Sequence, residues 1–264
     1  MGKIISVANQ KGGVGKTTTS INLTAALADA GKKVLIVDID PQGNTTSGFG
    51  VDKNEQDNTV YELLLDECTV NEAILRDIYP GVDMIPSNIN LAAAEIELIG
   101  IEYKEFILRD ALDYIRDDYD YILLDCPPSL NVLTVNAMTA SDTVIVPIQC
   151  EYYALEGLSQ LIHTINLVKT RLNPKLDIEG IVFTMYDART NLSQQVVENV
   201  KENVDQKVYQ TLIPRNIRLA EAPSYGEPIT TYEPKSAGAA AYRNLAKEVM
   251  GEAAEGSEDT TIDT

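Results

Sequence analysis

Two lysines five residues apart frame the stretch of this sequence best equipped for chemistry, Lys11-Gly12-Gly13-Val14-Gly15-Lys16-Thr17-Thr18. Glycines let a backbone wrap closely round phosphate oxygens, with successive N–H groups turned inward. A helix starting near Lys16 adds about half a unit of positive charge at its N-terminus. Lys16 is then positioned for the β- and γ-phosphates of a nucleoside triphosphate, and the Thr17 hydroxyl for Mg²⁺. Lys11 is a second cation that such a loop does not ordinarily need. The usual spacing also asks for glycine at position 10, where this chain has Gln10.

Carboxylates come from two other segments. Val34-Leu35-Ile36-Val37-Asp38-Ile39-Asp40-Pro41-Gln42 delivers two acids to the end of an apolar strand, where ligands of open α/β sheets bind. Asp38 and Asp40 alternate and so point in different directions. One can hold a Mg²⁺-bound water and the other can orient an attacking water, and the spacing does not say which. Tyr121-Ile122-Leu123-Leu124-Asp125-Cys126-Pro127-Pro128-Ser129 is an apolar strand ending in an acid. That is the Walker B pattern, whose acid meets Mg²⁺ directly or through water. Alone it is a weak signal; beside the loop at 11–18 it is a strong one.

These groups need a scaffold that brings several strand ends together. Strand-length apolar runs lie at Lys3–Asn9, Lys33–Asp38, Val82–Pro86, Tyr121–Asp125, Thr143–Pro147, Ile178–Met185 and Val208–Leu212. Several are continuous rather than alternating, as expected for strands covered on both faces. Amphipathic segments at 16–30, 104–117, 131–139, 155–171, 191–204 and 236–250 predict helices between them. The βα alternation predicts a doubly wound, mostly parallel sheet flanked by helices. Asp40-Pro41, Pro127-Pro128 and Pro147 are expected just past strand ends. Residues 43–60, small and polar before a run of acids, read as a mobile loop. Residues 1–250 are expected to form a single domain, and the acidic tail 251–264 to be disordered.

The chain has 264 residues, 44% of them hydrophobic, enough for a sizeable core. No apolar stretch approaches the ~20 residues that a membrane-spanning helix needs, and no signal peptide is read at the N-terminus. Cys68, Cys126 and Cys150 are odd in number and widely spaced. They read as small buried apolar residues in a reducing cytoplasm. His163, the only histidine, sits on an expected helix and reads as structural.

The net charge of −19 argues against nucleic acid as a partner. Its distribution softens that objection. Residues 160–250 hold 11 Lys or Arg against 10 Asp or Glu, and the tail 251–264 holds five acids and no base. A locally basic surface on the C-terminal half therefore remains open.

The three motifs together resemble the deviant Walker ATPases of the ParA/Soj/MinD group. The segment Leu212-Ile213-Pro214-Arg215-Asn216-Ile217-Arg218-Leu219-Ala220-Glu221-Ala222-Pro223-Ser224-Tyr225-Gly226-Glu227-Pro228 is similar to the chromosomal ParA (Soj) branch in particular. The likeness runs from about residue 3 to 250, and it accounts for Gln10, because that family's loop lacks the first glycine. The resemblance implies a P-loop fold binding ATP and Mg²⁺, with Gly12, Gly13, Val14, Gly15, Lys16, Thr17 and Thr18 around the phosphates. It implies that Lys11 reaches across a nucleotide-sandwich homodimer to the partner's phosphates, much as an arginine finger supplied in trans. Asp40 matches the residue that orients the hydrolytic water, and Asp125 the Walker B acid. With Thr17, these two form the implied Mg²⁺ set. Pro214 and Asn216 match the loop framing the adenine. Arg189 and Arg218 match the region used for non-specific contact with double-stranded DNA. The implied function is a cytoplasmic, nucleoid-associated DNA-segregation ATPase with slow intrinsic turnover, stimulated by a ParB/Spo0J-like centromere-binding protein.

Two other readings in this superfamily fit less well. A MinD-type membrane-cycling ATPase needs a basic amphipathic C-terminal helix to meet anionic lipid, and the tail here is acidic. A relative of the nitrogenase iron protein needs a cluster thiolate from each subunit. Cys126 lies in the turn after Asp125, and Cys68 and Cys150 are isolated.

Overall fold

The computed structural model describes residues 1–151 and 154–252. The disorder expected for the tail falls, from residue 253 onward, outside the described residues.

Eight strands form one sheet: β1 (Lys3–Val7), β2 (Val34–Asp38), β3 (Leu75–Tyr79), β4 (Val82–Ile85), β5 (Tyr121–Asp125), β6 (Thr143–Gln149), β7 (Asp177–Tyr186) and β8 (Val208–Pro214). Their order is β3-β4-β2-β5-β1-β6-β7-β8. Every pairing is parallel except β3 with β4. The doubly wound, mostly parallel fold expected from the sequence is the fold observed.

The continuous apolar strands are explained by two cores. Ile4, Leu35, Val37, Ile122, Leu124, Val144 and Phe183 face one layer of helices. Their neighbours Ile5, Ile36, Leu123, Ile145 and Val182 face the other, built largely from the helices Lys16–Asp29 and Ala237–Met250. Period-two alternation sends successive side chains to opposite faces, and both faces are covered, so the central strands are apolar over most of their length.

Register gathers the chemistry at one edge. Asp38 at the end of β2 lies opposite Asp125 at the end of β5, and Asp125 lies opposite Val7 at the end of β1. The loop 8–15 leaves β1 at that same edge.

Four expectations need correction. β3, Leu75-Arg76-Asp77-Ile78-Tyr79, was not expected. It carries two charges because it is an edge strand with exposed positions, and its register is interrupted near Asp77, which has φ 52. Pro147 lies inside β6 rather than past its end. β1 pairs no further along β6 than Ile145, and the Asn9 side-chain amide donates to the Pro147 carbonyl, so no ladder N–H is needed there. Residues 43–60 are not simply a loop. They contain the helix Asn44–Gly48 with Thr45 and Thr46 fully buried, and Thr59 caps the helix Val60–Leu64. The helix expected over 104–117 is broken into a 3₁₀ turn at Lys104–Phe106, a helix at Ile107–Asp113 and a second turn at Arg116–Asp118.

Candidate nucleotide site

The loop between β1 and the helix Lys16–Asp29 lacks a side-chain cap. Gly13 and Gly15 hold φ of 75° and 84°, the left-handed region that favours glycine. That turn leaves the first N–H groups of the helix to an incoming anion. Val14 is buried and its carbonyl accepts from the Thr184 hydroxyl at 2.8 Å, fastening the loop to β7.

A cavity of about 370 Å³ lies over this loop, with Gly12, Gly13, Gly15, Lys16, Thr17, Thr18 and Asp40 among its lining. A second cavity, about 480 Å³, shares Gly15, Thr18 and Met185 with the first and extends to Pro214 and Asn216. The pair makes one continuous depression with a polar end and an apolar end. It has the form expected for a triphosphate joined to a base.

Lys16 is buried, and its Nζ donates to the Lys11 carbonyl at 3.1 Å. Burial pulls its ammonium below the ordinary lysine value, against the opposing pull of Asp125, Cys126 and Asp40. Asp125 is fully buried and accepts three hydroxyl hydrogen bonds: from Thr17 at 2.9 Å, Thr45 at 2.7 Å and Ser20 at 2.8 Å. Burial raises its pKa, and those three hydroxyls work against the rise.

The two acids left open by the spacing separate clearly. Asp38 points into the protein, accepting from the Thr46 N–H and hydroxyl, both at 2.8 Å, and from the Asp40 N–H at 3.2 Å. Burial first, and the facing Asp125 second, push its carboxyl up to about 7. Two carboxyls on neighbouring strands resist ionising together. Asp40 is the one that lines the cavity over the glycine loop. Its carboxylate accepts from the Gln42 N–H at 2.9 Å, and the Ser87 hydroxyl donates to its carbonyl at 2.9 Å.

Lys11 stands apart. Its N–H donates to the Asn9 side chain at 3.0 Å, while its ammonium is paired with Glu151, half exposed to solvent, and it does not line the cavity. The two surface arginines are also held locally. Arg189 makes a two-pronged pair with Asp187, at 2.8 and 2.7 Å, which lowers the Asp187 pKa to about 2. Arg218 pairs with Glu221 at 2.8 Å. Asn216 caps the helix Ile217–Glu221 by accepting from the Arg218 N–H.

Sequence reasoning missed Ser20, Thr45, Thr46 and Met185. Ser20 was the most findable, because it follows Lys16 by four residues and so lies on the same helix face. Met185 gave no signal; it is held at φ 51 between the two compartments.

Among the described residues no group of three or more His, Cys, Asp and Glu side chains stands ready to hold a metal unaided. Mg²⁺ keeps several waters and takes one or two carboxylates plus phosphate oxygens. Thr17, Asp125 and Asp40 fit that requirement as hard oxygen donors.

Residues 2–178 match a family model described as an AAA domain. The chain is 57% identical over 249 residues to the sporulation initiation inhibitor protein Soj of Bacillus subtilis (strain 168), spanning 94% of this chain and 98% of that one. It is 52% identical over 250 residues to the chromosome partitioning protein ParA of Caulobacter vibrioides (strain NA1000 / CB15N), spanning 94% of each. This chain belongs to the ParA/Soj family. Like that family it is a P-loop ATPase. Among solved structures it matches a Mycobacterium smegmatis protein named cobyrinic acid a,c-diamide synthase, bound to an ATP analog and magnesium. The TM-score is 0.84, with 39% identity and 95% of each chain covered. It also matches the Pyrococcus furiosus cell division ATPase MinD, with a TM-score of 0.80, 29% identity and coverage of 95% and 99%. No helix among the described residues of this ParA/Soj member is long and apolar enough to cross a membrane.

Proposed function

We propose that this ParA/Soj-family ATPase is a DNA-segregation switch. ATP with Mg²⁺ closes two copies over two nucleotides, and the closed dimer binds double-stranded DNA without sequence preference. Hydrolysis, stimulated by a ParB-like partner, releases it. One observation carries the reading. Lys16, Thr17 and Asp40 line the cavity over the glycine loop, with Asp125 behind Thr17, while Lys11 of the same loop lies outside it on Glu151. A cation that its own site does not use is available to a second copy.

The chain's own residues then divide the work. The glycine loop and the helix N-terminus supply N–H donors to the phosphates. Lys16 neutralises charge on the β- and γ-phosphates. Asp125 holds the Thr17 hydroxyl in position. Asp40 orients the attacking water. Bound Mg²⁺ supplies electrophilic charge to the triphosphate, and Thr17, Asp125 and Asp40 are the residues that would hold it. Pro214 and Asn216 frame the base. Lys11 arrives from the partner, bringing the last positive charge where the transition state spreads its negative charge. The isolated subunit lacks that charge and a strong general base, so its intrinsic turnover is slow. Arg189 and Arg218 exchange their acidic neighbours for DNA phosphates. In the cell this puts the protein in the cytoplasm, on the nucleoid.

Retention of DNA with ATP and Mg²⁺ tests the switch. Wild type is expected to bind only with nucleotide, Lys16→Ala not at all, and Asp40→Ala persistently. Equal binding with and without nucleotide contradicts the proposal.

A further inference from the structure

Asp40 is held by a residue that follows a different strand. β4 lies beside β2 with Val37 opposite Ile85, so the chain leaves both strands side by side, near the cavity over the glycine loop. Ser87, two residues past β4, is fully buried. It meets the segment 40–46 at three points. Its hydroxyl donates to the Asp40 carbonyl at 2.9 Å, and its N–H donates to the Thr46 hydroxyl at 3.0 Å. Its carbonyl lies under Gly43, where a Cβ would come within 2.7 Å of it. Gly43 also holds φ 60, so space and backbone both disfavour a side chain there.

These contacts fix the turn that aims the Asp40 side chain. The Asp40 carbonyl also accepts from the Gly43 N–H at 2.9 Å, closing residues 40–43. Its carboxylate accepts from the Gln42 N–H at 2.9 Å, within the same turn. The other half of the cavity is anchored elsewhere. Val14 is tied to β7 through the Thr184 hydroxyl, and Gly12, Gly13 and Lys16 belong to that loop. The cavity therefore has two separate fastenings. Thr184 secures the groups proposed to meet phosphate, and Ser87 secures the acid.

We infer that Ser87 is a positioning residue for hydrolysis, setting Asp40 where it orients the attacking water. The inference rests on the role given to Asp40 under the proposed function. Ser87 lines neither nucleotide compartment and acts through Asp40. A misplacement of about 1 Å at a reacting centre costs up to about two orders of magnitude in rate. Nucleotide binding depends on the other fastening. Loss of the Ser87 hydroxyl should therefore lower kcat and spare KM. The fold should survive that loss, because the Asp40 carbonyl keeps the Gly43 N–H and the Thr46 hydroxyl keeps the Ser87 N–H.

Phosphate release at varied ATP with Mg²⁺ tests this on the full chain, comparing wild type with Ser87→Ala, Ser87→Thr, Gly43→Ala and Asp40→Ala. Ser87→Ala is expected to lose about tenfold in kcat, with KM and the calorimetric ATP affinity within about twofold of wild type. Ser87→Thr keeps the donor and should recover most of that loss. Gly43→Ala pushes the segment off the Ser87 carbonyl with the hydroxyl still in place, and should lower kcat as well. Hydrogen exchange in nucleotide-free protein supplies a readout apart from activity. The Gly43 amide should exchange about tenfold faster in Ser87→Ala, with the amides of β2 and β4 unchanged. Should the larger threonine fail to fit, the kcat-against-KM split and the exchange of Ser87→Ala carry the test. Ser87→Ala at the wild-type kcat, beside an inactive Asp40→Ala, overturns the inference alone. Asp40→Ala that turns over like wild type overturns the role of Asp40, and the inference with it. Exchange quickened throughout β2 and β4, or a KM raised as much as kcat is lowered, marks general loosening and also overturns it.

Discussion

Asp125 and Arg189 are both charged residues of the proposed switch, yet their surroundings have little in common. Asp125 is fully buried and is held by hydroxyls from residues 17, 20 and 45, far from it in the chain. Arg189 is solvent-exposed and held by Asp187, two residues away. Buried networks of the first kind are costly to break, because each donor left without an acceptor loses its desolvation energy. Exposed pairs of the second kind cost little to exchange. The network round Asp125 is therefore assembled by folding itself, whereas under the proposed function the exposed arginines, the rim of the switch, trade a carboxylate for a phosphate. In the proposed switch the rigid end reads the nucleotide and the exchangeable end acts on DNA.

Breaking the buried end should give the largest effect. Asp125→Ala leaves the fully buried Thr45 hydroxyl without its acceptor and removes one acceptor each from Thr17 and Ser20, the latter keeping the Lys16 carbonyl at 3.1 Å, and is expected to cost about 3 kcal/mol, measured by urea denaturation. Asp125→Asn, which keeps acceptors for some of them, should cost less. Lys16→Ala should weaken ATP binding by about two orders of magnitude in calorimetry, roughly 3 kcal/mol for charge-assisted contacts to phosphate. Asp38 sharpens the comparison through pH. Its folded pKa of about 7 is raised above the usual carboxylate value, so its contribution to stability is present below about pH 4 and is lost as pH rises through 7. In nucleotide-free, Mg²⁺-free protein, wild type should lose on the order of 2 kcal/mol between pH 5 and 8 that Asp38→Asn does not lose. The smallest effects belong to the rim. Arg189→Glu or Arg218→Glu should leave the melting temperature unchanged. Either should weaken DNA binding on any sequence, and flatten the salt dependence of the affinity by about 0.9 in log–log slope per lost contact. Arg189→Ala should also release Asp187 from about 2 toward the ordinary carboxylate range, followed by NMR titration.

Legibility in the sequence followed the same divide. The strands carrying Asp38 and Asp125 could be read because burial on both faces leaves long apolar runs that end abruptly in an acid. Tyr121–Asp125 was located at its observed limits. β3 was illegible because an edge strand need not be apolar, and Arg76 and Asp77 break its pattern. Thr45 and Thr46 read as loop residues from the sequence. Small hydroxylated side chains look like solvated linker unless the carboxylates that draw them inward, Asp125 and Asp38, are already located in space. Lys11 was conspicuous as a residue type, but its pairing with Glu151, 140 positions away, leaves no local trace.

The central claim is that Lys11 serves the other subunit's nucleotide, and complementation between two inactive variants tests it most directly. Lys11→Ala keeps its own cavity but lends no cation; Asp40→Ala lends Lys11 but cannot orient water. The two are mixed as nucleotide-free protein, then given ATP and Mg²⁺, and phosphate release is followed. The trans arrangement predicts that each alone is inactive and that the mixture hydrolyses ATP at the Lys11→Ala subunit's site. A mixture no more active than its components, with mixed dimers demonstrated by cross-linking, would contradict it.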